Sequence, residues 1–137
     1  QIPLQAGKWL HITYVHKDKK TTVYVNGKVQ KGFENSAITF GENSMIVVGN
    51  SGYRNDYLRE IRLWDKALTE SEINDYLYLP MDPATPHLIS YLPLSKEMET
   101  KDLKAPAGTE NVTTKAHIEY VENVKFPADE LVIVNQE

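Results

Sequence analysis

The dipeptide Asn26-Gly27 constrains the fold of this chain more than any other feature of the sequence. Both residues tolerate the positive φ angles that a type I′ turn requires, and strand-forming residues lie on either side of them. Residues 24–25 and 28–29 are therefore predicted to pair as a tight antiparallel hairpin. A hairpin of this kind favours an antiparallel sheet as the starting point of the fold.

Other short runs of apolar and β-branched residues continue the same pattern. The run at residues 9–15 alternates between two faces, and a charged turn at residues 17–20 joins it to the next strand. Further strands are predicted at residues 37–40, 45–48, 57–64, 87–94, 117–121, 124–126 and 131–134. The alternation breaks near Arg59 and Glu60, which predicts a β-bulge there. The pattern is typical of an all-β protein with antiparallel sheets.

One helix is predicted, at residues 70–79. Thr69 and Glu72 form a capping box, in which each side chain accepts a hydrogen bond from the other residue's backbone amide. An apolar stripe at helical spacing follows, made of Ile73, Tyr76 and Leu77. Pro80 ends the helix because proline has no amide hydrogen and its ring clashes with the preceding turn.

Length, charge and residue types exclude several classes of function. The chain has 137 residues, the size of one domain. Its 15 basic and 19 acidic residues leave a net charge of −4, which disfavours nucleic acid as a partner. The absence of cysteine excludes disulfide scaffolds, cysteine-ligated metals and thiol nucleophiles. No apolar run reaches the roughly 20 residues that cross a bilayer, so we expect no transmembrane segment.

Motifs for catalysis or for a metal site are weak. The four histidines contain no i, i+4 pair, and His11 is interpreted as a packed or hydrogen-bonded residue beside Trp9. Glycoside hydrolysis needs two carboxyl groups at a defined separation, and the pair that comes closest is Glu97 and Glu99. These two are interpreted as a solvated charge cluster, so we expect the chain not to be an enzyme.

Four segments, in this order, resemble a known family. They are Gly-Lys-Trp-Leu-His-Ile-Thr-Tyr-Val at residues 7–15, Thr-Val-Tyr-Val-Asn-Gly at residues 22–27, Ile-Val-Val-Gly at residues 46–49, and a run at residues 60–73 that begins Glu-Ile-Arg-Leu-Trp-Asp. Together they resemble the concanavalin A-like, laminin G-like jelly roll of secreted and surface bacterial proteins. The resemblance implies an all-β, antiparallel two-sheet sandwich with one short helix near residues 70–79. It also implies an extracellular or cell-surface location, either secreted or anchored to the bacterial outer membrane.

The resemblance divides the chain into two parts. Residues 1–79 resemble a laminin G-like sandwich portion without its N-terminal strands, and residues 80–137 resemble the extension of unassigned function that follows such domains in bacterial surface lipoproteins. Two explanations of the missing strands stay open. Either the chain is a fragment whose lost strands another chain replaces, or residues 87–134 complete the sandwich as in a circular permutation. We favour the second, because a half-sandwich would expose a large apolar face and unpaired strand edges.

The loop at residues 50–57 is the predicted ligand site. Sugars are bound by aromatic rings that stack on the pyranose and by polar groups that fix its hydroxyls. The loop offers both kinds of group, and its predicted ligand-binding residues are Asn50, Tyr53, Arg54, Asn55, Asp56 and Tyr57. Three of them, Asn50, Asn55 and Asp56, have the oxygen atoms that calcium prefers, and calcium is the one cofactor we consider. The alternative interpretation is an ordinary solvated connection whose tyrosines cover the end of the core.

The leading functional hypothesis is a non-catalytic carbohydrate-binding or adhesion module of a bacterial exported or cell-surface protein. Its partners would be a polysaccharide or other glycan and the other domains of the parent polypeptide. One alternative is a structural spacer or domain-docking module with no glycan ligand. The other alternative is a fragment of a glycoside hydrolase.

Overall fold

Two antiparallel sheets and one short helix make up the described part of the protein. The computed structural model describes residues 7–30, 35–36, 44–48, 57–114 and 118–120. Its elements in chain order are β1 (Ile12–Lys17), β2 (Lys20–Val25), β3 (Lys28–Val29), β4 (Asn35–Ser36), β5 (Ile61–Trp64), α1 (Glu70–Tyr76) and β6 (Leu88–Leu92). In the first sheet β2 pairs with β1, β3 and β4, and in the second sheet β5 pairs with β6. The prediction of a mostly β, antiparallel fold with one short helix is confirmed.

Two tight turns build the first sheet. The four central turn residues all have φ angles between 50° and 76°, and they are Asp18, Lys19, Asn26 and Gly27. Positive φ at both central positions is what a type I′ hairpin turn requires, because its twist matches that of the strands. β1 pairs with β2 along its whole length, and Val25 pairs with Lys28 across the second turn. The hairpin predicted around Asn26-Gly27 is therefore confirmed.

The first strand begins later than the sequence predicted. β1 starts at Ile12, whereas the alternating run suggested residue 9. His11 donates its backbone N–H to the side-chain oxygen Oδ1 of Asn26 at 2.9 Å, while its carbonyl accepts from the Asn26 amide at 2.8 Å. The side chain of the turn residue thus replaces the backbone partner that a further strand residue would need.

Two predicted strands are wrong where the structure describes them. Residues 44–48 and 118–120 belong to no strand, and the four apolar side chains at residues 45–48 are exposed. An apolar run becomes a strand only when its backbone groups pair with a neighbour, and none of the described residues pairs with either run. The remaining predicted strands at residues 37–40, 124–126 and 131–134 lie outside the described residues, as do His117 and Val121 at the ends of the strand predicted at 117–121.

The helix begins where the capping box predicts and ends earlier than expected. Thr69 N donates to Glu72 Oε2 at 2.8 Å, and Glu72 N donates to Thr69 Oγ1 at 3.2 Å, so both halves of the box are present. Ile73 is 1% exposed and anchors the buried side of the helix. The helix ends at Tyr76 instead of residue 79. Pro80 has no N–H to donate to the carbonyl of Tyr76, which bonds to a guanidinium group from β5 instead, as described below.

The second sheet joins two segments that are far apart in the sequence. β5 pairs antiparallel with β6, from Ile61 opposite Leu92 to Trp64 opposite Leu88. The register shifts between Leu63 and Trp64, so the bulge lies there and not at the predicted position near residues 59–60. The predicted strand at residues 87–94 is shorter than expected, and it ends immediately before a proline.

The apolar core of the described residues lies against the second sheet. Its buried members are Met81, Leu88 and Tyr91, with Trp64, Tyr76 and Leu103 packed against them. The rings of Trp64 and Tyr76 stack with centroids 5.4 Å apart, which ties the helix to β5. Asn74 Nδ2 donates to the carbonyl of Gly27 at 3.0 Å, so the same helix also contacts the turn of the first sheet. No helix among the described residues is long and apolar enough to cross a membrane.

Candidate functional site

Most of the predicted ligand loop lies outside the described residues. This applies to Asn50, Tyr53, Arg54, Asn55 and Asp56, so their placement stays a prediction, and so does the calcium site drawn from Asn50, Asn55 and Asp56. Tyr57 is described at the end of the loop, and its side chain is 58% exposed. A ring exposed to this degree is accessible to a ligand.

The chain leaves this loop through a buried ion pair. Arg62 Nη2 lies 2.9 Å from Glu60 Oε2, and the two side chains are only 6% and 8% exposed. Arg62 also donates from Nη1 to the carbonyl of Tyr76 and from Nη2 to the carbonyl of Leu79, both at 2.6 Å. The carbonyl of Tyr76 lies at the C-terminal end of the helix and would otherwise lack a backbone partner, because residue 80 is a proline without an N–H. One guanidinium group therefore fixes the loop exit, β5 and the helix end relative to one another.

The hydroxyl of Tyr91, on β6, forms a buried network with this ion pair. It donates to the carboxylate of Glu60, with the two oxygens at 2.9 and 3.0 Å, and it accepts from the backbone amide of Met81 at 3.2 Å. Burial raises the pKa of Tyr91, and the hydrogen bond to Glu60 adds to this, although the Met81 amide opposes it. Tyr91 therefore remains a neutral donor at physiological pH.

Glu60 has a strained backbone. Its φ angle of 59° lies in the left-handed region, which costs a residue with a side chain about 1–2 kcal/mol. The contacts of its carboxylate with Arg62 and Tyr91 hold the residue in that conformation. The buried contacts of Glu60 therefore set the direction in which the chain enters β5.

A second buried carboxylate organises the region after β6. Asp102 is buried, and its two oxygens accept hydrogen bonds from the side chains of Ser90 and Asn111 and from the backbone amides of Tyr91 and Lys104, at 2.6–2.9 Å. Burial alone would raise the pKa of Asp102, but these four donors outweigh it and hold the pKa below its usual value. Because its oxygens are already occupied, Asp102 acts as a structural group and not as a ligand for substrate or metal.

The three described histidines, His11, His16 and His87, are engaged in local contacts. His11 Nδ1 lies 3.2 Å from Thr13 Oγ1, and burial, followed by the positive charge of Arg62, lowers the pKa of His11 to about 4. The interpretation of His11 as a packed, hydrogen-bonded residue is confirmed. His16 Nδ1 lies 3.1 Å from Thr21 Oγ1, and His87 Nδ1 lies 2.8 Å from Asp65 Oδ1 on the surface.

The described residues include Glu97, Glu99 and three of the four histidines. Within them, no three His, Asp or Glu side chains come together in a way that could hold a metal ion. Glu97 and Glu99 are exposed and lie in a turn, as expected for solvated charges. This position gives neither carboxyl group the enclosed setting of a glycosidase acid.

The buried network was missed by the sequence analysis. Arg62 was treated as part of an ordinary strand, and Tyr91 as one residue of another. One signal was available, because Arg62 is a lone charge between Ile61 and Leu63 in an otherwise apolar strand. A charge in such a position needs a partner when it is buried. The sequence does not reveal that the partners are Glu60 and two helix-end carbonyls.

Comparison with known proteins gives one match. The model of the Laminin_G_3 family, described as the concanavalin A-like lectin/glucanases superfamily, matches residues 1–74, which is more than half of the chain. The match covers the first sheet, β5 and most of the helix, and it does not reach β6 or the residues after it. Neither a curated protein nor a solved structure matches the chain significantly.

Proposed function

Because this chain belongs to the concanavalin A-like lectin/glucanase superfamily, we propose that it works as a non-catalytic carbohydrate-binding or adhesion module. The match over residues 1–74 is the observation that carries the proposal, since the superfamily contains lectins as well as glucanases. Laminin G-like domains are typically extracellular. We place the module in a bacterial exported or cell-surface protein, either secreted or anchored at the outer membrane, where it works beside other domains.

The binding site of this proposal is the loop at residues 50–57. Its exposed Tyr57 would stack on the apolar face of a sugar ring, and Asn50, Tyr53, Arg54, Asn55 and Asp56 would supply a second ring and polar contacts. The buried contacts of Glu60 and Arg62 support this assignment, because they give the loop a rigid attachment to β5. A rigid attachment lowers the entropy that the loop loses when a ligand binds.

Calcium would act as a structural ligand of the same loop. Asn50, Asn55 and Asp56 offer two amide oxygens and a carboxylate, which are hard oxygen donors of the kind that calcium prefers. The ion would order the loop around the sugar. In that arrangement, removing calcium weakens binding without unfolding the sheets.

We also assign residues 80–137 to the same module as residues 1–79. Two contacts support this assignment: β6 pairs with β5, and the hydroxyl of Tyr91 bonds to Glu60. Both contacts cross from the second part into the first. In this proposal the extension packs on the sandwich instead of forming a separate domain.

A glycan array probed with the purified chain tests the function. We expect binding to at least one polysaccharide class, and a loss of about tenfold in affinity for Tyr57→Ala, which corresponds to ~1.4 kcal/mol. Tyr53→Ala and Asp56→Ala should weaken binding in the same direction, and EDTA should do so if calcium orders the loop. Tyr14→Ala is the matched control, because Tyr14 is another exposed tyrosine that lies on β1, outside the loop.

Three outcomes would overturn the proposal. Absence of binding to any glycan, with the chain folded by circular dichroism, would favour the structural spacer. Binding that survives every loop substitution would move the site elsewhere. Release of reducing sugar from a polysaccharide would show a glycoside hydrolase fragment instead.

A further inference from the structure

The turn at Asn26-Gly27 contains a chemically reactive sequence. Among the nine asparagines of the chain, Asn26 is the one that a glycine follows. The backbone nitrogen after an asparagine can attack the side-chain carbon Cγ, which closes a five-membered ring and makes asparagine a thermolabile residue. Glycine has no Cβ atom to shield the attacking nitrogen. The dipeptide that builds the second hairpin is therefore also the asparagine sequence with the least steric protection.

The folded turn keeps the two reacting atoms apart. In a type I′ turn the first central residue has a ψ angle of about 30°, and Asn26 holds that position with a φ angle of 50°. At this ψ angle the Cβ atom of Asn26 and the nitrogen of Gly27 lie nearly trans about the Cα–C bond. Ring closure needs them on the same side, with the reacting atoms about 3–3.5 Å apart. The turn must therefore open before the ring can form.

Hydrogen bonds from two other parts of the protein hold the turn closed. His11 donates its backbone N–H to Asn26 Oδ1 at 2.9 Å, and its carbonyl accepts from the amide of Asn26 at 2.8 Å. On the helix, Asn74 Nδ2 donates to the carbonyl of Gly27 at 3.0 Å, and Gly27 is buried. The bonds of His11 fix Asn26, and the bond of Asn74 fixes Gly27. Opening of the turn therefore loses contacts with α1 as well as within the first sheet.

We propose that Asn26 is a site of spontaneous deamidation, that opening of the turn controls its rate, and that the contact with Asn74 slows this opening. In the open turn the nitrogen of Gly27 loses its proton to solvent and forms a bond to Asn26 Cγ. The bond between Cγ and Nδ2 breaks, and Nδ2 takes up protons from water and leaves as ammonia. Water then opens the ring at one of its two carbonyl groups, which gives aspartate or isoaspartate.

The isoaspartate product cannot rebuild the turn. Its main chain passes through the former side-chain methylene group, so the turn gains one main-chain atom. A two-residue hairpin turn fixes the register of its strands, and here it sets Val25 opposite Lys28. Deamidation therefore converts a transient opening of the first sheet into a permanent change. The proposal does not depend on glycan binding, and either one can fail while the other stands.

Peptide mapping by mass spectrometry measures the reaction, because conversion of an amide to an acid changes the mass of the peptide. In mildly alkaline buffer, Asn26 should react at least about tenfold more slowly in the folded chain than in the chain unfolded by urea. In the unfolded chain it should react faster than Asn111, which the β-branched residue Val112 follows. Urea below the unfolding transition should hardly change the folded rate, because opening one turn exposes little surface.

Two variants of adjacent helix residues test the role of the helix. Asn74→Ala removes the hydrogen bond to Gly27 and should speed the reaction in the folded chain about threefold or more, since one hydrogen bond shifts an opening equilibrium by about that factor. Asp75→Ala is the matched control, because Asp75 is also exposed on α1, and it should leave the rate unchanged.

Four outcomes would overturn the proposal. Equal rates in the folded and unfolded chains would show that the turn gives no protection. A folded rate that rises with urea as global unfolding does would replace local opening with unfolding of the whole chain. A faster reaction at Asn111 than at Asn26 in the unfolded chain would remove the chemical basis. Equal rates in Asn74→Ala and Asp75→Ala would remove the role of the helix contact.

Discussion

The two sheets of this protein are held together in different ways. In the first sheet β1, β2 and β3 are joined by two-residue turns, and few of their side chains are buried. The second sheet joins β5 to β6, which the helix and the proline-containing segment separate in the sequence. The core residues Leu88 and Tyr91 lie on β6, and Met81 packs with them. The comparison shows that local turn chemistry can specify a sheet without burying much of it. The sheet between distant segments is held by a core and by buried, paired charges.

Because the second sheet holds the buried charges and most of the core, substitutions there should lower the free energy of unfolding the most. Arg62→Met removes the guanidinium group and leaves the buried carboxylate of Glu60 without its charged partner. We expect the free energy of unfolding to fall by about 3–5 kcal/mol, as measured by urea denaturation. Lys66→Met is the matched control, because Lys66 pairs with Glu72 on the surface and should cost less than about 1 kcal/mol. Equal losses in the two variants would contradict the buried role of Arg62.

The next largest effect is expected at the other buried carboxylate of the same region. Asp102→Ala removes an acceptor of four hydrogen bonds and leaves the buried amide of Tyr91 without a partner. We expect a loss of about 2–4 kcal/mol in the free energy of unfolding. Asp82→Ala, which removes a single exposed hydrogen bond to the amide of Ala84, should cost about 1 kcal/mol or less. A similar cost at both positions would mean that Asp102 is not a structural centre.

Two Gly→Ala substitutions test how much the contact between the helix and the turn of the first sheet contributes to stability. Gly27 and Gly108 have φ angles of 76° and 80°, so an alanine at either position has the same backbone strain of about 1–2 kcal/mol. A Cβ atom at Gly27 would also clash with the side chain of Asn74, whereas a Cβ atom at Gly108 would meet nothing within 4 Å. Gly27→Ala should therefore lower the melting temperature more than Gly108→Ala. Adding Asn74→Ala to both should remove the difference.

The smallest effect is a pH dependence in the first sheet. The pKa of His11 is about 4 in the folded protein and 6.5 for an ordinary histidine. Between these values the unfolded chain binds a proton that the folded chain does not, so stability falls as the pH drops from about 6.5 towards 4. His11 is partly exposed, and solvent screening reduces the expected loss to about 1 kcal/mol.

Urea midpoints at pH 7 and pH 4.5 measure this effect. His11→Gln should lose the part of the pH dependence that comes from this residue. Asp102 does not confound the comparison, because its lowered pKa moves its own contribution below the ordinary aspartate value of 3.8. An unchanged pH dependence in His11→Gln would show that another group titrates.

Much of the fold was predictable because its signals are local. The turn at Asn26-Gly27 and the capping box of Thr69 and Glu72 each depend on a few adjacent residues, and the structure confirms both. The strand at residues 45–48 was predicted from the same kind of apolar pattern, yet no described residue pairs with it. An apolar pattern identifies residues that can form a strand, but it does not supply the neighbouring strand that completes one.

The candidate site was less predictable than the fold. The loop at residues 50–57 was chosen for the chemistry of its side chains, and within it only Tyr57 can be compared with the structure. The hydrogen bonds at the C-terminal end of this loop involve residues for which the sequence predicted no contact. Glu60, Arg62 and Tyr91 are brought together by a bulged strand pair and a helix end, and none of these geometries can be read from a local pattern.

The sequence alone determined the hairpins, the start of the helix and the family, because turn angles, capping residues and short motifs act within a few positions of the chain. Tertiary structure alone decided that β5 pairs with β6, that Arg62 donates to the carbonyl at the end of the helix, and that Asp102 is a buried acceptor. No local sequence pattern indicates which distant residues will contact each other in the folded protein. The donor that pairs with each buried charge depends on how the apolar surfaces around the charge pack.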